Sequence, residues 1–354
     1  MGVFALVHPS YASDPTTNSK AILSPGDLGR LLSFLIERFD VYGPVAKGKQ
    51  VVFGSIHQPG DLRLDYVTTI LPPKKFFYAP FETVFHFHRE LGITAQQGIS
   101  DRGKVLFGIH PCDVAALGLL DRVMEGGYND TVYQAKRQQT LIVALNCNSA
   151  GEHCFCTSFG TGPEATRGFD LAITNLGERF LLEAGTPVGA EMIEILALEP
   201  AETGDLWEKE SRMRKARERI PKRMHTERLP RLLNQNFDHP VWAKLNERCL
   251  SCGACTVACP TCYCFNVWDQ VNLDLTTGQR KMVWDSCQLV DFGEVAMGHN
   301  FRRDRTARVK QRVYHKLSYF NTQYGDFGCV GCGRCTEACI KHIDLVAIVN
   351  EIGG

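Results

Sequence analysis

The sequence has no apolar run approaching the roughly 20 residues that a membrane-spanning helix needs. Nor has it a surplus of either charge, since 39 basic residues face 39 acidic ones. The first absence excludes a spanning helix. The second argues against nucleic-acid binding as the main task, because phosphate contacts draw on a basic surplus. Met1–Pro9 is apolar but has no basic region ahead of it and no cleavage site, so a signal peptide is not expected. No dinucleotide fingerprint is present either: Phe159-Gly-Thr-Gly162-Pro163 does not continue through a further glycine into a helix, and it reads as a loop. No nucleophile constellation or open metal site is specified by spacing. What remains is an ordinary globular composition, 44% hydrophobic and 22% charged over 354 residues, with room for two or three domains.

Cysteine is the abundant exception. There are 15, an odd number that does not suit a disulfide framework and points to a reducing compartment, the cytoplasm. Two runs 80 residues apart share one spacing: Cys249, Cys252, Cys255 and Cys259, then Cys329, Cys332, Cys335 and Cys339. C-x2-C-x2-C-x3-C is the ligand pattern of a two-cluster ferredoxin, in which the fourth cysteine of each run crosses to the other cluster. One [4Fe-4S] cluster is therefore expected on Cys249, Cys252, Cys255 and Cys339, and the second on Cys329, Cys332, Cys335 and Cys259. A zinc ribbon needs only paired knuckles and leaves the third and fourth cysteines unexplained. Gly253, Gly331 and Gly333 would let backbone N–H groups approach the sulfurs.

The N-terminal half reads as an α/β layer with a partly parallel sheet. Ser24 and Pro25 open a helix with an apolar stripe from Leu28 to Phe39, and Val51–Ile56 reads as a short buried strand. From residue 104 the pattern is strand, turn and helix. Cys112 and Cys147 each follow the end of an apolar strand, and Cys154 and Cys156 lie in the next loop. Ligands gather at that edge of open α/β sheets, so these four are candidates for a third cluster. The alternatives are buried thiols and a Cys154–Cys156 redox pair. Cys112 also opens a helix, where the dipole favours thiolate. His86 and His88, two apart, read as packed or surface imidazoles rather than ligands.

The expected division is an α/β platform over 1–205, a basic helical linker over 206–240, and a C-terminal α+β dicluster ferredoxin-like domain over 241–354. An insertion at 260–328 must fold over the clusters or form a partner surface. Basic residues concentrate from Arg212 to Arg231 and from Arg302 to Lys316. They read as two solvated helix faces, with a docking surface for an acidic partner as the alternative. Cys262, Cys264 and Cys287 remain over. With His299 they would make another metal site, but packing beside the clusters is the preferred reading.

Cys249 to Phe265, with its Cys-Pro-Thr-Cys-Tyr-Cys ending, resembles electron-transfer subunits of the sulfhydrogenase beta and anaerobic sulfite reductase A family. So do Trp284-Asp-Ser-Cys287, Gly298 to Arg302, Cys329 to Cys339, Pro111-Cys112-Asp113, Asn146-Cys147 and Cys154 to Pro163. Ile340 stands where such motifs usually carry proline. The resemblance implies an iron–sulfur relay of a multi-subunit oxidoreductase, between a flavin- and nicotinamide-binding partner and a catalytic or relay subunit, without terminal chemistry of its own. Two other readings stay open: an enzyme with its own flavin or substrate site near Cys112 and Cys147, and a non-catalytic redox sensor.

Overall fold

A computed structural model describes residues 17–96, 102–127 and 129–353; the Met1–Pro9 stretch lies outside them. The chain opens with β1 (Lys20–Leu23) and α1 (Pro25–Arg38). The Ser24 Oγ accepts from the Asp27 N–H at 3.1 Å while Asp27 accepts from the Ser24 N–H at 3.0 Å, a reciprocal cap that starts α1. Its Leu31, Leu32 and Leu35 are buried against the sheet. Then come β2 (Asp40–Lys47), β3 (Gln50–Ser55), β4 (Phe81–His88), β5 (Gly92–Gln96), β6 (Lys104–Ile109), α2 (Pro111–Glu125), α3 (Thr131–Gln138) and β7 (Thr140–Leu145). The block closes with β8 (Leu171–Asn175), β9 (Phe180–Ala184), α4 (Pro187–Ile195), β10 (Glu199–Pro200) and α5 (Thr203–Glu218).

Eight of these strands form one sheet in the order β10-β1-β9-β8-β7-β6-β2-β3. The run β2-β6-β7-β8 is parallel and the flanks are antiparallel. Every residue of β7 is buried, as suits a central parallel strand covered on both faces. One face packs under α1 and α4, the other under α2 and α3. β3 differs from expectation. It is the outer edge strand, and only Phe53 in it is buried.

The second half adds α6 (Leu229–Gln235), α7 (Val241–Arg248), α8 (Ala254–Val257), β11 (Phe265–Val271), β12 (Thr277–Trp284) and α9 (Arg305–Tyr314). A wide turn at His315–Tyr319 continues α9 into α10 (Phe320–Tyr324), followed by α11 (Arg334–Glu337) and α12 (Leu345–Gly353). Helices α6, α7, α9 and α12 enclose a second core around Leu233, Trp242, Leu245, Val313, Tyr314, Leu317 and Ile348. The hairpin β11–β12 does not close on its own half. It pairs with β4, Val283 opposite Phe81 and Gln279 opposite His86, in a four-stranded sheet ordered β11-β12-β4-β5. His86 and His88 are thus sheet residues, and the His88 Nδ1 accepts from the Glu90 N–H at 3.2 Å.

Candidate metal centre

The two cysteine runs fold alike. Each passes through left-handed glycine (Gly253 at φ +77°, Gly333 at φ +75°) into a single helical turn, α8 or α11. That hairpin-like entry points successive sulfurs to one side, and backbone N–H groups follow: Ser251 donates to the Cys249 Sγ at 3.4 Å and Gly331 to the Cys329 Sγ at 3.5 Å. Two cavities result. The first, about 580 Å³ including its mouth, is lined by Cys249, Cys252, Cys255 and, from the other run, Cys339. The second, about 330 Å³, is lined by Cys329, Cys332, Cys335 and, from the first run, Cys259. Each wall thus takes three sulfurs from one run and the last from the other.

Buried cations surround the second cavity. The Lys316 Nζ lies 2.7 Å from the Thr261 Oγ1, which is itself 3.2 Å from the Cys259 Sγ. Lys74 donates to the Cys262 carbonyl at 2.5 Å and stands 4.2 Å from the Trp284 ring. The Arg312 side chain lies between the cavities and lines both. Arg308, Arg312 and Lys316 are all buried, so one face of α9 and its continuation points inward rather than into solvent. The solvated-face expectation fails there because desolvated cations find sulfur and carbonyl partners. In the other basic run, Arg217 pairs with Glu164 and Arg212 donates to the Leu176 carbonyl at 2.8 Å.

The N-terminal four lie against this region. β6 and β7 are adjacent and parallel, so Cys112 and Cys147 leave the sheet at the same edge. The Asn146 side chain fixes the second exit, donating to Thr174 and accepting from the Ala165 N–H. The loop bearing Cys154 and Cys156 packs directly on the second cysteine run. The Phe155 N–H donates to the Gly331 carbonyl at 2.8 Å, Thr161 donates to the Val330 carbonyl at 2.7 Å, and the Cys154 Sγ is 3.9 Å from the Cys332 carbonyl. Cys112, Cys147, Cys154 and Cys332 all lie within electrostatic reach of the buried Arg334.

Burial changes the thiol chemistry. It pushes Cys112 well up, with the Asp113 carboxylate adding to the rise, which overrides the thiolate-favouring helix start expected from sequence. Burial likewise pushes Cys255, Cys329 and Cys156 up to about 12. A thiol raised in this way keeps its proton until a cation takes the sulfur.

The leftover cysteines do not gather around His299. That ring is exposed and meets Phe301 edge-on at 4.6 Å. Instead Cys262 lies within electrostatic reach of Cys259, and Cys287 within reach of Cys264. Among the described residues no three His, Cys, Asp or Glu side chains come close enough to hold a single metal ion. The donor sets suit something broader than one ion.

A 4Fe-4S dicluster domain model matches residues 248–343, which spans both cysteine runs and the insertion between them. Sulfhydrogenase 2 subunit beta of Pyrococcus furiosus is 36% identical over 314 residues, covering 88% of this chain and 92% of the relative. The chain belongs to the sulfhydrogenase beta-subunit family. As a member of it, with the dicluster domain, it is an iron–sulfur electron-transfer protein carrying two [4Fe-4S] clusters. No solved structure matches the chain. No helix among the described residues is long and apolar enough to cross a membrane.

Proposed function

We propose that the chain is a cytoplasmic electron relay within a multi-subunit oxidoreductase. It would pass electrons between a flavin- or nicotinamide-binding partner and a catalytic partner of the hydrogenase, sulfite, sulfur or heterodisulfide reductase kind. One cluster is assigned to Cys249, Cys252, Cys255 and Cys339, the other to Cys329, Cys332, Cys335 and Cys259. The observation that carries this is the pair of cavities whose walls exchange their fourth cysteines. When bound, each [4Fe-4S] cluster takes up and gives back one electron at a fixed geometry.

The chain's own residues do the rest. Lys316, Lys74 and Arg312 place positive charge beside the second quartet and favour an added electron there. The first quartet opens outward: Cys252 is exposed, and Leu250, Val257, Leu289 and Ile340 form an apolar rim nearby. Such a rim suits a protein partner. Cys112, Cys147, Cys154 and Cys156 are assigned a third cluster, which extends the order inward from surface to first quartet, second quartet and sheet edge.

The test is anaerobic purification of the native complex, with iron and sulfide counts, low-temperature electron paramagnetic resonance (EPR) and identification of the companion subunits. Three cluster signals with a flavoprotein alongside are expected. A colourless, iron-free chain overturns the reading, and a chain purified alone with bound flavin favours the enzyme alternative.

A further inference from the structure

Three buried cations follow one another at four-residue intervals along α9 and its continuation: Arg308, Arg312 and Lys316. Two of them are held by protein oxygens. Arg308 donates from Nε to the Gln288 carbonyl at 2.9 Å, from Nη1 to the Arg302 carbonyl at 3.0 Å and from Nη2 to the Ser251 Oγ at 3.2 Å. Lys316 donates to the Thr261 carbonyl at 3.0 Å and to its Oγ1 at 2.7 Å. Arg312 differs from both. It is only 8% exposed, and its Nη2 makes a long contact of 3.5 Å to the Cys255 carbonyl. Its Nε is buried with no hydrogen-bond partner among the described residues, and no carboxylate pairs with it there. A buried guanidinium with a spare donor and no counter-ion is costly unless something anionic completes it. What borders it is sulfur from both quartets. Arg312 and Cys255 line the first cavity, and Arg312, Cys259 and Cys335 line the second. Lys316 lines the second cavity alone, and Arg308 lines neither.

We propose that Arg312 is a cation shared by the two [4Fe-4S] clusters, its unused Nε–H donated to a cluster or thiolate sulfur and its charge raising both reduction potentials together. A cluster on four thiolates is anionic and becomes more so on reduction, so a donor at sulfur and a nearby positive charge both favour the added electron. One charge lodged between two acceptors stabilises the electron on either side. An electron crossing from one quartet to the other therefore keeps that stabilisation, and the relay stays near level. Lys316, bordering one cavity, acts chiefly on one cluster. Arg312 sets what the two have in common. This rests on the cluster assignment proposed above.

The test compares the anaerobically purified holoprotein with its Arg312→Gln, Arg312→Met and Arg312→Lys variants. Each receives an iron count and an EPR-monitored redox titration of both clusters. Whichever neutral variant keeps its iron should show both midpoints shifted to lower potential by comparable amounts. Arg312→Lys, which keeps the charge, should restore most of both. If only one midpoint moves in the neutral variants, or neither does, the shared role is refuted and the cluster assignment stands. Loss of iron from both neutral variants would make Arg312 an assembly residue and refute the shared role too. Absence of two cluster signals from the wild-type protein would overturn the assignment and the shared role with it.

Discussion

Arg334 and Asp113 form a doubly bonded ion pair, each terminal guanidinium nitrogen 2.7 Å from a carboxylate oxygen, with 1% and 0% of their side chains exposed. Arg334 sits between Cys332 and Cys335, and Asp113 directly follows Cys112. The Arg334 Nε also donates to the Thr69 carbonyl at 2.6 Å. One side chain thus ties the second cysteine run to the edge of the parallel sheet. Removing one partner leaves a charge buried without its counterion. Arg334→Met or Asp113→Asn should therefore cost about 3–5 kcal/mol in anaerobic denaturant unfolding. The paired replacement Arg334→Met with Asp113→Leu should recover most of that loss.

Lys316 bears on the potential of the second cluster. A buried unit charge several ångströms away, at an effective dielectric near 20, is worth about 2 kcal/mol, or on the order of 100 mV for one electron. Lys316→Met should lower that potential by this order, and Lys316→Arg should restore most of it. EPR-monitored titration reads the shift directly, and an unchanged midpoint would remove Lys316 from the account.

Exchange of the fourth ligands gives a paired expectation. Cys339→Ser should deplete the cluster at Cys249–Cys255 while leaving the signal of the other, and Cys259→Ser should do the reverse. Each substitution affecting the cluster of its own run would show that the runs do not cross.

Glycines Gly331 and Gly333 adopt φ of +63° and +75° where the loops meet. A Cβ at Gly331 would lie 2.5 Å from the Phe155 carbonyl oxygen, and one at Gly333 2.4 Å from that of His153. Either glycine replaced by alanine combines left-handed strain with a backbone clash. Loss of at least 2 kcal/mol in stability is expected, together with weakened iron at Cys329–Cys335, measured by unfolding and iron assay.

The iron-free chain should respond to pH in the opposite sense from metal uptake. Cys255 and Cys329 rise from an ordinary value of 9.0 to about 12 when buried as thiols. Below pH 9 both folded and unfolded chains keep these protons and no pH dependence arises from them. Between pH 9 and 12 the unfolded chain ionises first, so the folded iron-free state loses stability as pH rises. Cluster assembly releases the same protons, so iron uptake should strengthen from pH 6 to 8.5. Unfolding and reconstitution followed across both ranges check the two signs.

Much of the site was legible because ligand spacing is a local property. Three cysteines on one tight loop announce themselves, and the apolar strands before Cys112 and Cys147 mark a sheet edge. What stayed hidden depends on distant pairing. Nothing near Arg334 in sequence names Asp113, and Arg308, Arg312 and Lys316 read as surface charge until the cavities behind α9 are known. Composition could not separate an inward cationic face from a solvated one. The segment Val51–Ile56 reads as a buried strand because most of its residues are apolar, yet the antiparallel turn from β2 puts the observed strand, Gln50–Ser55, at the margin. For the leftover cysteines packing beside the clusters is the preferred reading, but no local pattern says that the hairpin closes the Asp285 N–H on the Cys264 carbonyl.

The pairing of β4 with β12 also sets a schedule. Because Phe81 finds its neighbour only when Val283 exists, a growing chain must wait some two hundred residues with one strand unsatisfied. A fragment ending before the hairpin would expose that strand's edge and invite self-association. The early half therefore completes its second sheet only after the last third has emerged.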